Sequence, residues 1–417
     1  MDLKPEVRDK IAQLLAKGVQ IPNPLTIHIG PEVSLDRISG KGVQIYPGCR
    51  IYGSKTVISA NCKLGREAPV TLEDCALGPA VELKGGFFSR SVFLEGANMG
   101  MGAQVREGSI MEEEANAAHS VGLKQTILFP FVTLGSLINF CDCLMAGGTS
   151  RKNHSEVGSS YIHFNYTPNQ DKATASLIGD VPRGVMLNQP PIFLGGQGGM
   201  VGPLRLGYGI IVAAGTILRQ DHLQEGQLIS EAPATSRAEA FVPAAYPRLK
   251  RLLENNVHYL ANLAALEAWY REVRKDYFAA QELGSLVYAG AIEQLAAAKA
   301  ERLQRLQAVA EAVRETGAEK RLPQRQEQRQ AFSRAVRSLE EGFFNAEIRS
   351  DAADKAQEAF LSAFKKTAGD DRGKYLEAIR SLPPAVSSLG VAWLESIVSD
   401  WFRYISQTEP SLGLLKA

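Results

Sequence analysis

From about residue 20 to 232 one short phrase recurs: a branched or long aliphatic residue, often followed by glycine, then four mostly small or polar residues. Ile29-Gly30, Leu64-Gly65, Leu77-Gly78, Val121-Gly122, Leu134-Gly135, Val157-Gly158, Ile178-Gly179, Leu194-Gly195, Val201-Gly202 and Leu206-Gly207 are instances, at spacings of six or near-multiples of six. A helix repeats its apolar face every 3.6 residues and a half-buried strand every two, so a six-residue period fits neither. It fits a hexapeptide β-helix, in which three phrases build one triangular coil. The aliphatic residue points into the prism and stacks on its counterparts about 4.8 Å above and below. Glycine and small residues turn the corners. At about 18 residues per coil the segment holds roughly ten to twelve coils. A β-sandwich with turns every 8–12 residues explains the glycines and leaves the aliphatic–glycine phase unexplained.

The remainder reads as helix. Residues 245–280 carry Leu249, Leu252, Leu253, Leu260, Leu263, Leu266, Trp269 and Val273 mostly three or four apart, one apolar face. Similar patterns predict helices over 288–315, 325–345, 352–367, 372–381 and 389–406, with Gly317, Pro323, Gly342, Gly369-Asp370-Asp371 and Pro383-Pro384 as breakers. A short helix at 4–17 is positioned to cover the open strand edges at the start of the solenoid. The expected organisation is a capping helix (1–19), a β-helix (20–235) and an α-helical domain (236–417), whose leucine faces form bundle core or a coiled-coil arm.

Composition adds mostly exclusions. The chain has 417 residues, 45% hydrophobic and 22% charged, with a net charge of +1, so no overall field steers it to nucleic acid or an anionic membrane. No apolar run reaches the roughly 18 residues of a membrane span, and the N-terminal sequence has no signal-peptide character. The five cysteines, Cys49, Cys62, Cys75, Cys141 and Cys143, form neither a disulfide framework nor a zinc-ligand pair. They are expected as buried thiols in a reducing cytoplasm. The six histidines and the cysteines never cluster at metal-ligand spacing, so no metal is expected.

Residues 151–221 hold the chemistry. In order they read His154, Asn165-Tyr166, Lys172, Ile178-Gly179-Asp180, Leu194-Gly195, Gly202-Pro203, Gly207-Tyr208-Gly209, Ala213-Ala214-Gly215-Thr216 and Arg219. This ordered set resembles the acetyltransferase domain of the bacterial bifunctional enzymes that make UDP-N-acetylglucosamine, members of the left-handed parallel β-helix superfamily. The resemblance implies a left-handed β-solenoid followed here by an all-α domain, and a homotrimer with sites between subunits. It implies transfer of an acyl group from acetyl-coenzyme A, or another acyl-coenzyme A, to an amino sugar or sugar nucleotide. His is a suitable base near neutral pH, and by carry-over His154 takes that role, with His163 an alternative. Asn165 and Tyr166 orient the sugar and Lys172 neutralises an anionic group. Gly196 and Gly202 line the donor groove with backbone amides, and Arg219 meets a coenzyme A phosphate.

The sequence also departs from that pattern. The family keeps an Arg and a Lys in the coils before the base to hold the sugar phosphate, whereas residues 129–148 contain no basic residue; Arg151 and Lys152 are the nearest replacements. The base-to-Asn spacing is shortened, the Tyr after the base is Val157, the groove serine is Gly196, and Arg219 comes one residue early. The uridyltransferase half has no counterpart, so pyrophosphorylase activity is not expected. A second reading is therefore a non-catalytic sugar-nucleotide sensor or scaffold that assembles through its helices. A purely structural solenoid leaves the loop NYTPNQDK unexplained.

Overall fold

The computed structural model describes residues 5–230, 236, 238, 240–241, 246, 248–315, 323–345, 348–367 and 374–413. The boundary expected at 235, and the breakers Gly317 and Gly369–Asp371, lie outside the described residues.

Residues 28–229 form a parallel β-solenoid of about 11 turns, followed by helices. Each coil contributes one short strand to each of three faces. The first face runs from His28–Ile29 to Ile217–Leu218, the second from Val57–Ile58 to Arg205–Leu206, and the third from Gln44–Ile45 to Leu228–Ile229. Two seven-residue strands, Gly122–Leu128 and Asn139–Met145, continue around the edge between the first and second faces. On the third face Ile45, Leu64, Leu83, Met99, Ala117, Leu134, Val157, Leu194, Val212 and Ile229 pair in unbroken register. All are buried, so the six-residue phase is an inward aliphatic ladder. The glycines after it often serve close approach between coils: a Cβ on Gly158 would lie 2.4 Å from Gly196 N, and one on Gly195 would lie 2.4 Å from Ala214 N. Several corners instead put non-glycine residues in the left-handed region, among them Gln125 (φ 50°) and Asp142 (φ 59°).

Helix α1 (Pro5–Lys17) seats Val7, Ile11 and Leu14 on the first coil. Its Lys10 ammonium donates to the carbonyls of Gly30 (2.9 Å), Pro31 (2.7 Å) and Val33 (2.7 Å), so the end of the prism is closed by both apolar and polar contacts. A four-residue helix, α2 (Val181–Gly184), fills one late corner.

The C-terminal helices are α3 (Leu249–Trp269), continuing through a π-helical turn (Tyr270–Arg274) into α4 (Lys275–Ala279), then α5 (Gly284–Glu315), α6 (Pro323–Asn345), α7 (Asp351–Thr367), α8 (Tyr375–Arg380) and α9 (Pro384–Thr408). Gly342 does not break α6. It lies inside it because a Cβ there would meet Ile348 at 2.6 Å and Trp401 at 3.0 Å.

Helices α3 and α5 lie over the second face. Its outward column is apolar and buried: Val57, Ala76, Val92, Ile110, Ile127, Leu144 and Leu177. Gly290 of α5 approaches so closely that a Cβ would stand 2.9 Å from Ala76 Cβ. Polar side chains of the same helices satisfy backbone groups at the prism edges. Gly108 N donates to Gln294 (3.0 Å), Asn256 donates to Ala173 O (3.0 Å), and Val181 N donates to Asn262 (2.8 Å).

Candidate functional site

The triangular section distributes the sequence-predicted residues over three different edges. Arg151, Lys152 and His154 sit on the hairpin Gly148–Ser150/Asn153–His154, which joins the second face to the third. Asn165, Tyr166 and Lys172 lie on the insertion that joins the first face to the second, and Gly202 and Arg219 lie at the same edge on later coils. Gly196 turns the edge between the third and first faces. One chain therefore brings Asn165, Tyr166, Lys172, Gly202 and Arg219 to a common edge. His154 stands on the edge opposite the first face, and Gly196 on the remaining one.

Local chemistry separates these residues further. His154 Nδ1 is 2.9 Å from Arg151 O, which makes Nδ1 the protonated nitrogen and leaves Nε2 facing Glu156 at 3.9 Å. The Arg151 guanidinium is occupied by the carbonyls of Glu114 (3.0 Å) and Phe131 (2.6 Å) and by Thr133 Oγ1 (2.8 Å). Lys152 is exposed. The alternative, His163, is buried, with Nδ1 bonded to Cys141 O and Nε2 2.8 Å from Ser176 Oγ; burial pushes its pKa down to about 4. Asn165 donates to Asp142 (2.9 Å), whose other oxygen pairs at 2.5 Å with Arg302 of α5, itself bonded to Lys172 O. Lys172 stands 4.6 Å over the exposed Tyr166 ring.

Two clefts adjoin the edge. One, of about 660 Å³, is walled by Thr167–Asn169, Val201, Gly202, Pro203 and Arg219 from the solenoid and by Phe241, Tyr246, Arg248, Arg251 and Leu252 from the region leading into α3. Arg219 and Arg248 are exposed there, whereas Arg251 is paired with Asp221 (3.1 Å). The other, of about 550 Å³, opens on the first face over Gln104, Arg106, Ser120, Asn139 and Cys141. Arg106 and Lys124 occupy successive rungs of that face, as the Val105–Leu123 pairing requires, and Lys124 pairs with Glu107 (2.8 Å). The Cys141 thiol lies within the fields of Arg106, Lys124 and Lys172, while burial and Asp142 push its pKa up. The one-coil separation of Arg106 and Lys124, 18 residues apart, is a signal the sequence carries outside the ordered set at 151–221.

An outward column of the first face connects the two clefts. It runs Arg106, Lys124, Cys141, Phe164 and Val201 to Arg219, with Phe164 paired to Val201 and Met200 paired to Leu218. From Cys141 to Val201 is two rungs, about 10 Å at the usual strand spacing. Among the described residues no three His, Cys, Asp or Glu gather to hold a metal, and no helix is long and apolar enough to cross a membrane. The five cysteines are free thiols, four of them buried.

Over about half its length, this chain resembles the bifunctional GlmU proteins. The Bifunctional protein GlmU of Thermotoga maritima is 26% identical over 215 residues, covering 51% of this chain and 42% of its own. That of Thermus thermophilus is 29% identical over 197 residues (47% and 38%), and that of Fervidobacterium nodosum 25% over 241 (58% and 46%). The matches thus span less than half the length of these GlmU relatives. No family model matches the chain. A crystallographic analysis of the polysialic acid O-acetyltransferase OatWY aligns with 53% of this chain and 91% of its own at 12% identity and a TM-score of 0.15, a score at which the two chains do not superpose as wholes.

Proposed function

We propose that this protein is a coenzyme A-dependent acyltransferase-like protein acting on an amino sugar or sugar nucleotide, soluble in the cytoplasm and assembled as a homotrimer. The observation that carries the reading is the continuous first-face column. At one end the exposed Arg106 presents positive charge in a cleft it shares with Gln104, Ser120 and Asn139, suited to the phosphate of a sugar phosphate or nucleotide, with Lys124, paired to Glu107, one rung on. At the other, Arg219 and Arg248 flank a cleft with apolar walls, suited to an amphiphilic anion such as an acyl-coenzyme A. The exposed Phe164 and the adjoining Val201 form an apolar path between them. Asn165, Tyr166 and Lys172 rim this path, and Gly202 lines the cleft at its far end, its missing side chain leaving room for Thr174 O; Gly196 would reach it only from the edge between the third and first faces. His154 stands away from the column, so it acts as base only when supplied from another copy. Arg151 has its guanidinium spent on carbonyls, which leaves Lys152 as the substrate contact on that hairpin.

The trimer reading is supported by the distribution of exposed apolar residues. The second face is covered by the chain's own helices, while Phe193, Ile211 and Leu228 stack in register and exposed on the third face, and Ile162 and Phe164 are exposed on the first. A first face set against a neighbour's third face would enclose the column.

A melting-temperature series on the full chain tests the proposal. Acetyl-coenzyme A at about 100 times its Kd is expected to stabilise the fold by about 2.7 kcal/mol. Arg219→Ala is expected to weaken that shift several-fold, and free thiol to be released when an amino sugar phosphate is added. Neither shift nor thiol release in the wild type would sink the reading. The sensor or scaffold alternative is favoured by one observation, the locking of Asn165 through Asp142 to Arg302 of the helical domain. It is supported if sugar nucleotides bind without turnover of any thioester.

A further inference from the structure

A polar insertion at a prism corner has no place in the strand ladder, so its backbone groups need partners elsewhere. For the insertion that carries Asn165, Tyr166 and Lys172, side chains from three parts of the C-terminal region supply them. Arg302 of α5, buried, donates from one Nη to Lys172 O (2.5 Å) and from the other to Asp142 Oδ1 (2.5 Å). Asp142 Oδ2 in turn accepts from Asn165 Nδ2 (2.9 Å). A carboxylate only accepts, so this bond turns the Asn165 NH2 toward Asp142 and leaves Oδ1 for another partner. Asp142 directly follows Cys141, a lining residue of the first-face cleft, so Asn165 is tied to a rung of that cleft. Asn256 of α3, also buried, donates to Ala173 O (3.0 Å). At the tip, Asp171 accepts from Thr167 Oγ1, Ala173 N (3.3 Å) and Tyr246 OH (2.9 Å). Tyr246 lies ahead of α3 with its backbone in the left-handed region (φ 39°), a conformation that a bulky residue keeps only where surrounding contacts fix it. Tyr246 and Thr167–Asn169 also wall the larger cleft.

We propose that the helical domain is a working part of the sugar-binding site, with Arg302, Asn256 and Tyr246 as positioning residues that hold Asn165 and Lys172 beside the first-face cleft; this rests on the acyl-transfer reading above. None of the three needs to touch the reacting atoms. Arg302 closes a ring that runs from Asp142 through Asn165 and the insertion to Lys172 O, so one guanidinium sets both ends of the insertion. Its planar fork serves oxygens on two separate elements, a geometry that the single ammonium of a lysine does not reproduce. An insertion held in place beforehand binds the sugar without first losing conformational freedom, whereas a released one subtracts that ordering cost from affinity. The loss falls on the KM of the sugar and not on kcat.

The test uses full chains: wild type, Arg302→Lys, Tyr246→Phe and, as a control for stability lost elsewhere in the helices, Leu339→Ala at a buried position of α6. Arg302→Lys keeps a cation opposite Asp142, and Tyr246→Phe removes one hydroxyl and keeps the ring. Hydrogen exchange read by mass spectrometry should run several-fold faster over residues 165–173 in Arg302→Lys and Tyr246→Phe, and at the wild-type rate there in Leu339→Ala. With acetyl-coenzyme A and glucosamine 1-phosphate as probes, the KM of the sugar phosphate should rise several-fold in the same two variants, while kcat and the acetyl-coenzyme A melting shift stay near wild type. If Arg302→Lys does not fold, Tyr246→Phe alone decides. Wild-type exchange at 165–173 in the variants overturns the proposal, as does a KM that neither variant moves or that Leu339→Ala moves equally; the acyl-transfer reading survives each of these results. A wild type that neither binds nor turns over either probe overturns that reading and the proposal with it.

Discussion

At the scale of single residues, position in the coil decides what a side chain can do. His163 occupies the inward column of the first face, paired with Met200, where most rungs place an aliphatic or aromatic residue. Taking imidazolium out of water is costly, so burial holds it neutral and its pKa falls to about 4; His258, half-buried against Phe402, falls to about 3. Both values lie below the ordinary 6.5. Between pH 6.5 and 4 the unfolded chain therefore binds protons that the folded chain refuses, and their contribution to stability, complete above pH 6.5, is lost as pH falls. Urea unfolding at stepped pH should show wild-type stability dropping through this window. His163→Met, which fills the inward position without a titrating group, should show a shallower drop, with His258 supplying the remainder. Equal slopes in the two proteins would refute the assignment. The sequence named His154, Asn165, Tyr166, Lys172, Gly202 and Arg219 from their order along the chain, but order does not say which prism edge a corner residue occupies. The hairpin at 148–154 and the insertion after Phe164 lengthen two corners, so counting in sixes loses the edge there, and Arg106, on a regular rung of the first face, stands outside the ordered set.

At the scale of elements, the two structural grammars were legible and their docking was not. The six-residue phrase marks the inward ladder directly, and Leu or Trp spacing marks the helices. The second face carried a further signal in its apolar pairs, Val92-Phe93, Ile110-Met111, Ile127-Leu128 and Leu144-Met145, because a strand covered on both sides needs no polar alternation. What sequence could not supply was the partner of each buried charge. Arg274 leaves the π-helical turn to meet Glu112 (2.8 Å) and Glu113, under the Tyr375 ring at 4.1 Å, while burial pushes the Glu112 carboxyl up to about 7. Arg302 reaches Asp142 and the carbonyl of Lys172. A buried pair of this kind stabilises modestly as a whole, but removing one partner strands the other charge. Arg302→Met should therefore destabilise the protein by about 3–5 kcal/mol, and the double variant with Asp142→Asn should recover part of that loss. Denaturant unfolding of the full chain decides it; a single variant as stable as wild type would show that Asp142 finds water or another cation. Because Asp142 also holds Asn165, the same variants should loosen the 165–172 insertion, detectable as faster proteolysis there.

At the scale of the whole molecule, a three-sided prism with one side covered has two sides left for neighbours. The third face changes character along its length. Its outward column begins with Gln44, Lys63, Glu82, Asn98 and Asn116 and ends with Phe193, Ile211 and Leu228, the last 73% exposed. The polar rungs are at home in water. The apolar ones sit on the same late coils as Val201 and Arg219, beside the Arg219 end of the first-face column, so an assembly using them would close that column. Ile211 is the middle rung and is half exposed, and its outward side chain makes no part of the prism interior, so Ile211→Lys should leave the folded chain intact. On the trimer proposal it should shift the purified protein toward monomer in sedimentation velocity, with melting temperature lowered only as far as lost association requires. If association and the first-face site are linked, acetyl-coenzyme A should pull the variant back toward the larger species, since a ligand that binds the assembled form preferentially stabilises it by mass action. An Ile211→Lys protein that sediments as wild type would remove the third face from the assembly and return the site to a single chain.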